Sequence, residues 1–108
     1  MTDIIRQIKN QIEDVTKKAL ADMDIQGKDS DGFKAALEGE IEIEIPKEKA
    51  HGDFSINTAM KLTKILRTSP VNIANALTGA MNFEGTYIEK CEIAGPGFIN
   101  FYLDKNWL

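Results

Sequence analysis

Residues 40–45 alternate strictly between glutamate and isoleucine, in the order Glu-Ile-Glu-Ile-Glu-Ile. Successive side chains of a β-strand point to opposite faces, so this alternation places Ile41, Ile43 and Ile45 on one face. The pattern predicts a half-buried strand that ends at Pro46. Such a strand needs a sheet to pair with and other elements to cover its apolar face.

Three longer segments carry apolar residues at the three- and four-residue steps of an amphipathic helix. Helices are predicted from Asp3 to Met23, from Ser55 to Arg67 and from Pro70 to about Met81, with a shorter helical turn from Phe33 to Leu37. Ser69 is expected to cap the third helix, because its hydroxyl can accept a hydrogen bond from an exposed amide. The faces predicted to be buried consist of Ile4, Ile5, Ile8, Ile12, Val15, Ala19 and Met23 in the first helix, Ile56, Ala59, Met60, Thr63 and Leu66 in the second, and Val71, Ala74, Leu77 and Met81, with Ile73 at the margin, in the third.

Two further strands are predicted, from Tyr87 to Ile93 and from Phe98 to Leu103, joined across Gly95-Pro96-Gly97. So short a connection makes them antiparallel neighbours. The sequence therefore predicts one α+β domain over residues 1–108, with helices packed on one face of a small, mainly antiparallel sheet of three or four strands.

Composition narrows the classes of protein and site. The chain has one cysteine, Cys91, and one histidine, His51, so neither an internal disulfide nor a zinc site is expected. Without an apolar run long enough for a membrane span or a signal peptide, we expect a soluble, cytoplasmic protein without a membrane partner. The net charge of −4 argues against a surface that binds nucleic acid everywhere.

Basic residues are concentrated between residues 47 and 67. Lys61, Lys64 and Arg67 follow one another every three residues on the predicted second helix, where they could contact phosphates. A solvated helix face is the more frequent explanation of such a charge pattern.

The last predicted strand carries an aromatic and amide pattern. Regular alternation places Phe98, Asn100 and Tyr102 on the face away from the core. An exposed ring can stack on an unpaired base, and a neighbouring amide can both donate to and accept from the base edge. The alternative is that the rings cover the second sheet face and Asn100 satisfies backbone groups of the Gly-Pro-Gly turn.

Two blocks of sequence resemble a known family. Residues 51–60 read His-Gly-Asp-Phe-Ser-Ile-Asn-Thr-Ala-Met and residues 94–101 read Ala-Gly-Pro-Gly-Phe-Ile-Asn-Phe, with Ser69-Pro70 between them. Their order and spacing are similar to those of the amino-terminal additional domain of bacterial arginyl-tRNA synthetases. The resemblance covers residues 40–104, and the first helix is compatible with it.

The resemblance implies a non-catalytic domain that grips the elbow of arginine tRNA and contacts its D-loop. Phe98 and Asn100 align with the aromatic and amide pair that recognises the nucleotide at tRNA position 20. Gly95 and Gly97 would let the backbone pass close to the RNA, although turn geometry also explains both.

The sequence lacks the two signatures of the family's ATP site. Neither a His-x-Gly-His signature nor a Lys-Met-Ser-Lys-Ser-like loop occurs in the sequence, so we expect no catalysis and no cofactor in this fragment. The resemblance implies a parent ligase that uses ATP, with magnesium, and has this fragment and its own catalytic domain as parts. An independent RNA-binding module and a protein-interaction domain anchored by Phe98, Tyr102 and Trp107 stay open as alternatives.

The block around His51 is assigned chiefly to folding. A single loop histidine without a nucleophile is more often structural or solvated than a general base. Gly52, Asp53 and Asn57 are expected to be structural, with Asp53 and Asn57 bonded to backbone at the start of the second helix.

Overall fold

The computed structural model describes residues 2–107, with the side chains of residues 3–106. The helices are α1 (Thr2–Asp22), α2 (Asp31–Glu38), α3 (Thr58–Lys61), α4 (Thr63–Leu66) and α5 (Pro70–Gly79). The strands are β1 (Ile43–Glu44), β2 (Phe54–Ile56), β3 (Ile88–Ala94) and β4 (Phe98–Leu103), and short 3-10 turns span Lys49–His51 and Lys105–Trp107. The strands form one antiparallel sheet in the order β1-β2-β4-β3. The α+β prediction is confirmed.

The core lies between the helices and the inner face of the sheet. Ile99 and Phe101 of β4 are fully buried, and Phe101 makes an edge-on contact with the Phe83 ring at 6.2 Å between centroids. From β2, Phe54 and Ile56 join the same cluster. The central pair of strands therefore holds the helices to the sheet through large apolar side chains.

Helix α1 matches its prediction to within one residue at each end. Five of its seven predicted core residues are buried, namely Ile8, Ile12, Val15, Ala19 and Met23. Ile4 is half-buried, whereas Ile5 is 37% exposed. Ile5 lies at the margin of the apolar stripe, next to the side of the helix that faces solvent.

The strand predicted at residues 40–45 is shorter than expected. Only Ile43 and Glu44 pair with β2, because the chain leaves the sheet after Ile56 and enters α3 at Thr58, so no strand lies opposite residues 40–42. Before the strand, the Ile41 amide donates to Glu13 Oε2 of α1 at 3.3 Å. Ile45 is 60% exposed, so its predicted core position is wrong.

The helix predicted from Ser55 to Arg67 is wrong in its first part and interrupted in its second. Phe54–Ile56 forms β2, which pairs with both β1 and β4. Helical structure begins at Thr58 and breaks at Leu62, whose φ of −98° and ψ of 0° separate α3 from α4. Ala59 and Leu66 are still buried, so the apolar periodicity survives the break.

Helix α5 begins as predicted and ends two residues early. Ser69 Oγ accepts from the Asn72 amide at 3.1 Å, which confirms the cap. Its buried face is Ile73, Ala74 and Leu77, while Val71 is 42% exposed. The predicted burial of Val71 is wrong, because residues two apart on a helix point about 200° apart and Ile73 faces the core.

Cys91 lies on β3, half-buried on the core side of the sheet. Burial raises the pKa of its thiol, and the nearby Glu92 carboxylate adds to the effect. The thiolate is the reactive species, so at pH 8 the folded chain is expected to react with a maleimide more slowly than the same chain in urea. The two rates should become more similar as the pH rises through the pKa of Cys91 in the folded chain. Mass spectrometry can follow the reaction with maleimide. Equal rates at pH 8 would contradict the half-buried position of Cys91.

The described residues form neither a membrane-spanning helix nor a group of metal ligands. Along residues 2–107 no helix combines the length and apolar composition needed to cross a membrane. Within the same part of the chain, no three histidine, cysteine or acidic residues group as metal ligands would.

Candidate functional site

The outer face of the sheet carries a polar row across all four strands. Glu44, Ser55, Asn100 and Glu92 lie side by side in the strand register. Although they point away from the helices, Ser55 is only 8% exposed and Asn100 only 5%. Something other than the helices therefore covers the middle of this face.

The cover is the segment between β1 and β2, which we name the β1–β2 loop (residues 45–53). The Tyr102 hydroxyl of β4 lies 2.9 Å from the Ala50 carbonyl oxygen. Nearer β2, the Asp53 amide donates to the Phe101 carbonyl at 2.8 Å, and Asp53 Oδ2 accepts from the Leu103 amide at 3.0 Å. These bonds fold the loop back over β4.

Gly52 makes this approach possible. Its φ of 87° and ψ of −173° are rarely open to other residues. A Cβ placed on Gly52 would lie 2.7 Å from the Phe101 carbonyl oxygen and 3.4 Å from the Asn100 Cβ. The loop backbone thus packs directly against the residue that forms the middle of the outer face.

An open groove of about 360 Å³ remains beside the loop. Ser55 and Asn100 form its floor, and Glu44 stands at its margin. One wall comes from the β1–β2 loop through Pro46 and His51, and the other from residues 94–96 and Phe98 at the β3–β4 turn. Its size falls in the range of about 300 to 1,000 Å³ that is usual for small-molecule sites.

Asn100 is the most distinctive group in the groove. Among residues 3–106, whose side chains the structure describes, no hydrogen bond engages its side-chain amide. The turn closes without it, through the Gly97 amide and the Ala94 carbonyl at 3.2 Å. The alternative in which Asn100 satisfies backbone groups of the turn is therefore wrong, and both hydrogen-bonding functions of the amide are available to a ligand.

Phe98 borders Asn100 and is 37% exposed. The ring belongs to the groove wall and presents an apolar surface next to the free amide. Phe98 and Asn100 thus lie together, as the alternation along β4 predicts.

Tyr102 has a different surrounding, although it lies on the same face. Lys90 Nζ lies 4.9 Å from the centre of its ring and 3.1 Å from Glu92 Oε2. The hydroxyl is also 3.1 Å from Glu92 Oε1, so its single proton is shared between that carboxylate and Ala50. Tyr102 is engaged within the protein and does not form a second open aromatic platform.

Charge is largely balanced within this cluster. Hydrogen bonds from Lys90 and then Tyr102 lower the pKa of Glu92. The Glu92 carboxylate raises the pKa of Lys90, and desolvation followed by Glu92 raises that of Tyr102. At neutral pH the cluster contains one ammonium and one carboxylate, so it adds little net charge to the groove.

The two glycines of the turn have different surroundings. Gly95 is exposed, and the atom nearest to an added Cβ is Phe98 Cδ2 at 4.0 Å. Gly97 is buried, and an added Cβ would lie 2.7 Å from Pro70 Cβ and 3.3 Å from Met60 Cγ. The close approach at Gly97 is thus made by the protein itself.

Asp53 and Asn57 do not bond at the start of the helix as expected. Asp53 bonds to β4 instead. The Asn57 side chain makes no cap hydrogen bond with α3, and its Nδ2 donates to Glu42 Oε2 at 2.9 Å. Both residues are tied to neighbouring strand segments because the predicted helix begins later than expected.

Lys61, Lys64 and Arg67 do not lie in the groove. Lys61 Nζ pairs with Glu42 Oε1 at 2.8 Å, and hydrogen bonds from Lys61 and Asn57 lower the pKa of that carboxyl group. The break at Leu62 removes the single helical face on which the three cations were expected, and Arg67 ends α4 in a left-handed conformation. Of the three, Lys61 already has a carboxylate partner.

Sequence reasoning missed the wall made by Pro46 and His51. The available signal was the His-Gly-Asp run, in which glycine allows a close backbone approach. His51 is exposed and, among the described side chains, none bonds to its imidazole, so the solvated alternative describes it better than a structural one. The side chain of Trp107, proposed as an anchor, lies outside the described residues.

The sequence of the chain matches a known protein family. The model of the family described as "Arginyl tRNA synthetase N terminal domain" matches residues 4–103. The chain belongs to this family. The match includes the β1–β2 loop and both walls of the groove.

Relatives of the chain carry the same domain in longer proteins. The arginine-tRNA ligases of Acetivibrio thermocellus and Caldanaerobacter subterraneus are 43% and 42% identical over 108 residues. In both cases the whole chain is covered, and it spans 18% of the relative's length. The chain thus corresponds to a small part of each ligase.

Solved structures share the fold. The arginyl-tRNA synthetase of Thermus thermophilus superposes with a TM-score of 0.66 at 18% identity, over 93% of this chain and 14% of that one. That of Plasmodium falciparum gives 0.63 at 16% identity, over 96% of this chain and 16% of the other. Both likenesses support the arrangement of helices and sheet described above.

Proposed function

We propose that this chain is the tRNA-binding domain of an arginine-tRNA ligase, and that its groove holds an unpaired D-loop nucleotide of arginine tRNA. Family membership supports the tRNA-binding role. The observation that carries the site is Asn100: the residue is 5% exposed, its side-chain amide has no partner among the described side chains, and it lies on the groove floor next to Phe98. An unpartnered amide on a groove floor beside an exposed ring suits an unstacked base.

In this proposal the two residues have separate tasks. Phe98 provides a stacking surface, which every base can use because every base has a π-face. Asn100 donates to and accepts from the base edge, which differs between bases. Affinity then depends mainly on Phe98 and base selectivity on Asn100.

In this proposal the domain serves the catalytic domain of its parent ligase. The parent ligase joins arginine to tRNA with ATP and magnesium in the cytoplasm, and this domain has no catalytic residue or cofactor of its own. Binding energy gained at the distal groove helps to align the reacting end of the tRNA in the catalytic domain. Gly95, Lys64 and Arg67 remain secondary candidates for backbone contacts, whereas Lys61 must first leave Glu42.

Binding of the chain to arginine tRNA transcripts tests the groove. With all four bases compared at position 20 at low, stated salt, Phe98→Ala should weaken binding of every transcript by about 1 to 3 kcal/mol. Asn100→Ala should reduce the difference between the best and worst base by about 1 to 3 kcal/mol. Val71→Ala and Asn75→Ala serve as matched controls, because both residues are exposed on α5 and lie outside the groove.

The salt dependence provides an independent check. An acidic domain of this small size is expected to make few phosphate contacts, so affinity should fall only gently as salt rises. If the two controls weaken binding as much as Phe98→Ala and Asn100→Ala do, the groove is not the RNA site.

A further inference from the structure

We propose that His51 is a third residue that contacts the bound base, on the opposite side of Asn100 from Phe98, and that Tyr102 positions it. This inference rests on the function proposed above and assigns to its site one further contact and one positioning residue. It changes the role of a histidine that the sequence assigned chiefly to folding.

The strand register gives the position of His51. Phe54 pairs with Phe101, and β2 runs antiparallel to β4. Residues before Phe54 therefore lie beyond Phe101, toward Tyr102 and away from Phe98. The groove has Asn100 on its floor between the Phe98 wall and the His51 wall.

The neighbours of His51 are fixed to β4. Ala50 is held by the Tyr102 hydroxyl at 2.9 Å, and Gly52 packs so closely on β4 that an added Cβ would lie 2.7 Å from the Phe101 carbonyl oxygen. Asp53 bonds to the same carbonyl through its amide at 2.8 Å. The backbone on both sides of His51 is thus restrained at a defined distance from Asn100.

The His51 side chain is left unrestrained at the same point. It is exposed, lines the groove, and has no hydrogen bond or ion pair within residues 3–106. A histidine needed for folding would bond to the loop or to β4. Instead, backbone contacts hold the loop, and a flat ring with one donor and one acceptor faces the ligand space.

Tyr102 acts through this loop. Its ring is covered on one side by Lys90 at 4.9 Å, so its contribution to the groove comes from the hydroxyl bond to Ala50. A base inserted above Asn100 would then lie between Phe98 and an imidazole whose position Tyr102 sets.

The test compares an arginine tRNA transcript with the same RNA lacking the base at position 20. For the chain of residues 1–108, His51→Ala should weaken binding of the intact RNA about five-fold or more. The same substitution should leave binding of the abasic RNA unchanged, because there is no base to contact. Glu48→Gln is the matched control: it lies beside the same 3-10 turn, is exposed, makes no cap hydrogen bond and does not line the groove.

Tyr102→Phe removes only the hydroxyl and tests positioning. It should weaken binding of the intact RNA, leave binding of the abasic RNA unchanged, and shift the backbone amide signals of Ala50, His51 and Gly52 in the free chain. A structural role alone would lower the unfolding midpoint and weaken both RNAs alike. That result would overturn the positioning role.

The remaining outcomes separate this inference from the proposed function. If Phe98→Ala weakens binding and His51→Ala does not, the inference fails and the groove function stands. If His51→Ala weakens both RNAs equally, His51 contacts the RNA backbone and the base contact is wrong. If none of the variants Phe98→Ala, Asn100→Ala and His51→Ala changes binding of the intact RNA, the proposed function itself fails.

Discussion

Replacing Gly52 with alanine is expected to lower the free energy of unfolding by about 3 to 5 kcal/mol. The backbone of Gly52, with φ at 87° and ψ at −173°, occupies a region that side chains rarely enter, at a cost of about 1 to 3 kcal/mol. The new Cβ would also lie 2.7 Å from the Phe101 carbonyl oxygen. That oxygen belongs to the centre of the sheet and accepts from the Asp53 amide, so it cannot move without loss of pairing.

Gly85→Ala separates the two contributions. Gly85 has a similar φ of 78°, but an added Cβ meets nothing within 4 Å, so only the conformational cost applies. Urea unfolding followed by circular dichroism should show a clearly larger loss for Gly52→Ala. If the two variants lose the same stability, the β1–β2 loop does not pack on β4 as described.

The parts of the fold that were predicted well are those with local causes. Helix α1 follows from residues three and four positions apart, and the cap at Ser69 from a residue and its own neighbours. Strand β4 follows from its alternation and the turn before it. Each of these patterns is complete within a few residues of sequence.

Strand β2 shows why other parts were predicted wrongly. Ile56 fits the helical spacing of Ala59 and Leu66, and three residues are too few to establish an alternation. What makes residues 54–56 a strand is pairing with β1 on one side and with β4 on the other. The partner on β4 is distant in sequence, so no local pattern contains it.

The same distinction applies to the groove. Alternation along β4 places Phe98 and Asn100 on one face, which the structure also shows. It does not reveal that the β1–β2 loop covers Asn100, that Lys90 covers Tyr102, or that Lys61 pairs with Glu42. These contacts arise between elements, and they decide which side chains remain free for a ligand.

A second substitution with a large expected effect on stability lies in the β3–β4 turn, next to Phe98. Gly97→Ala is expected to lower the free energy of unfolding by about 3 kcal/mol or more. At φ 133° an alanine is strained, and its Cβ would lie 2.7 Å from Pro70 Cβ and 3.2 Å from the Pro70 carbonyl carbon. Pro70 cannot yield easily, because its ring fixes φ at the first position of α5.

Gly95→Ala, in the same turn, is the control for this prediction. At φ 51° it is expected to cost about 1 to 2 kcal/mol, and no protein atom lies closer than 4.0 Å to its added Cβ. Thermal and urea unfolding of both variants should therefore give a larger loss at Gly97. If Gly97→Ala remains partly folded, the NMR signals of Phe98 should shift, because residue 97 can no longer pack against α5. If Gly97→Ala is as stable as Gly95→Ala and weakens only RNA binding, Gly97 serves the RNA contact that the family resemblance implies, and its packing against Pro70 is not what requires glycine.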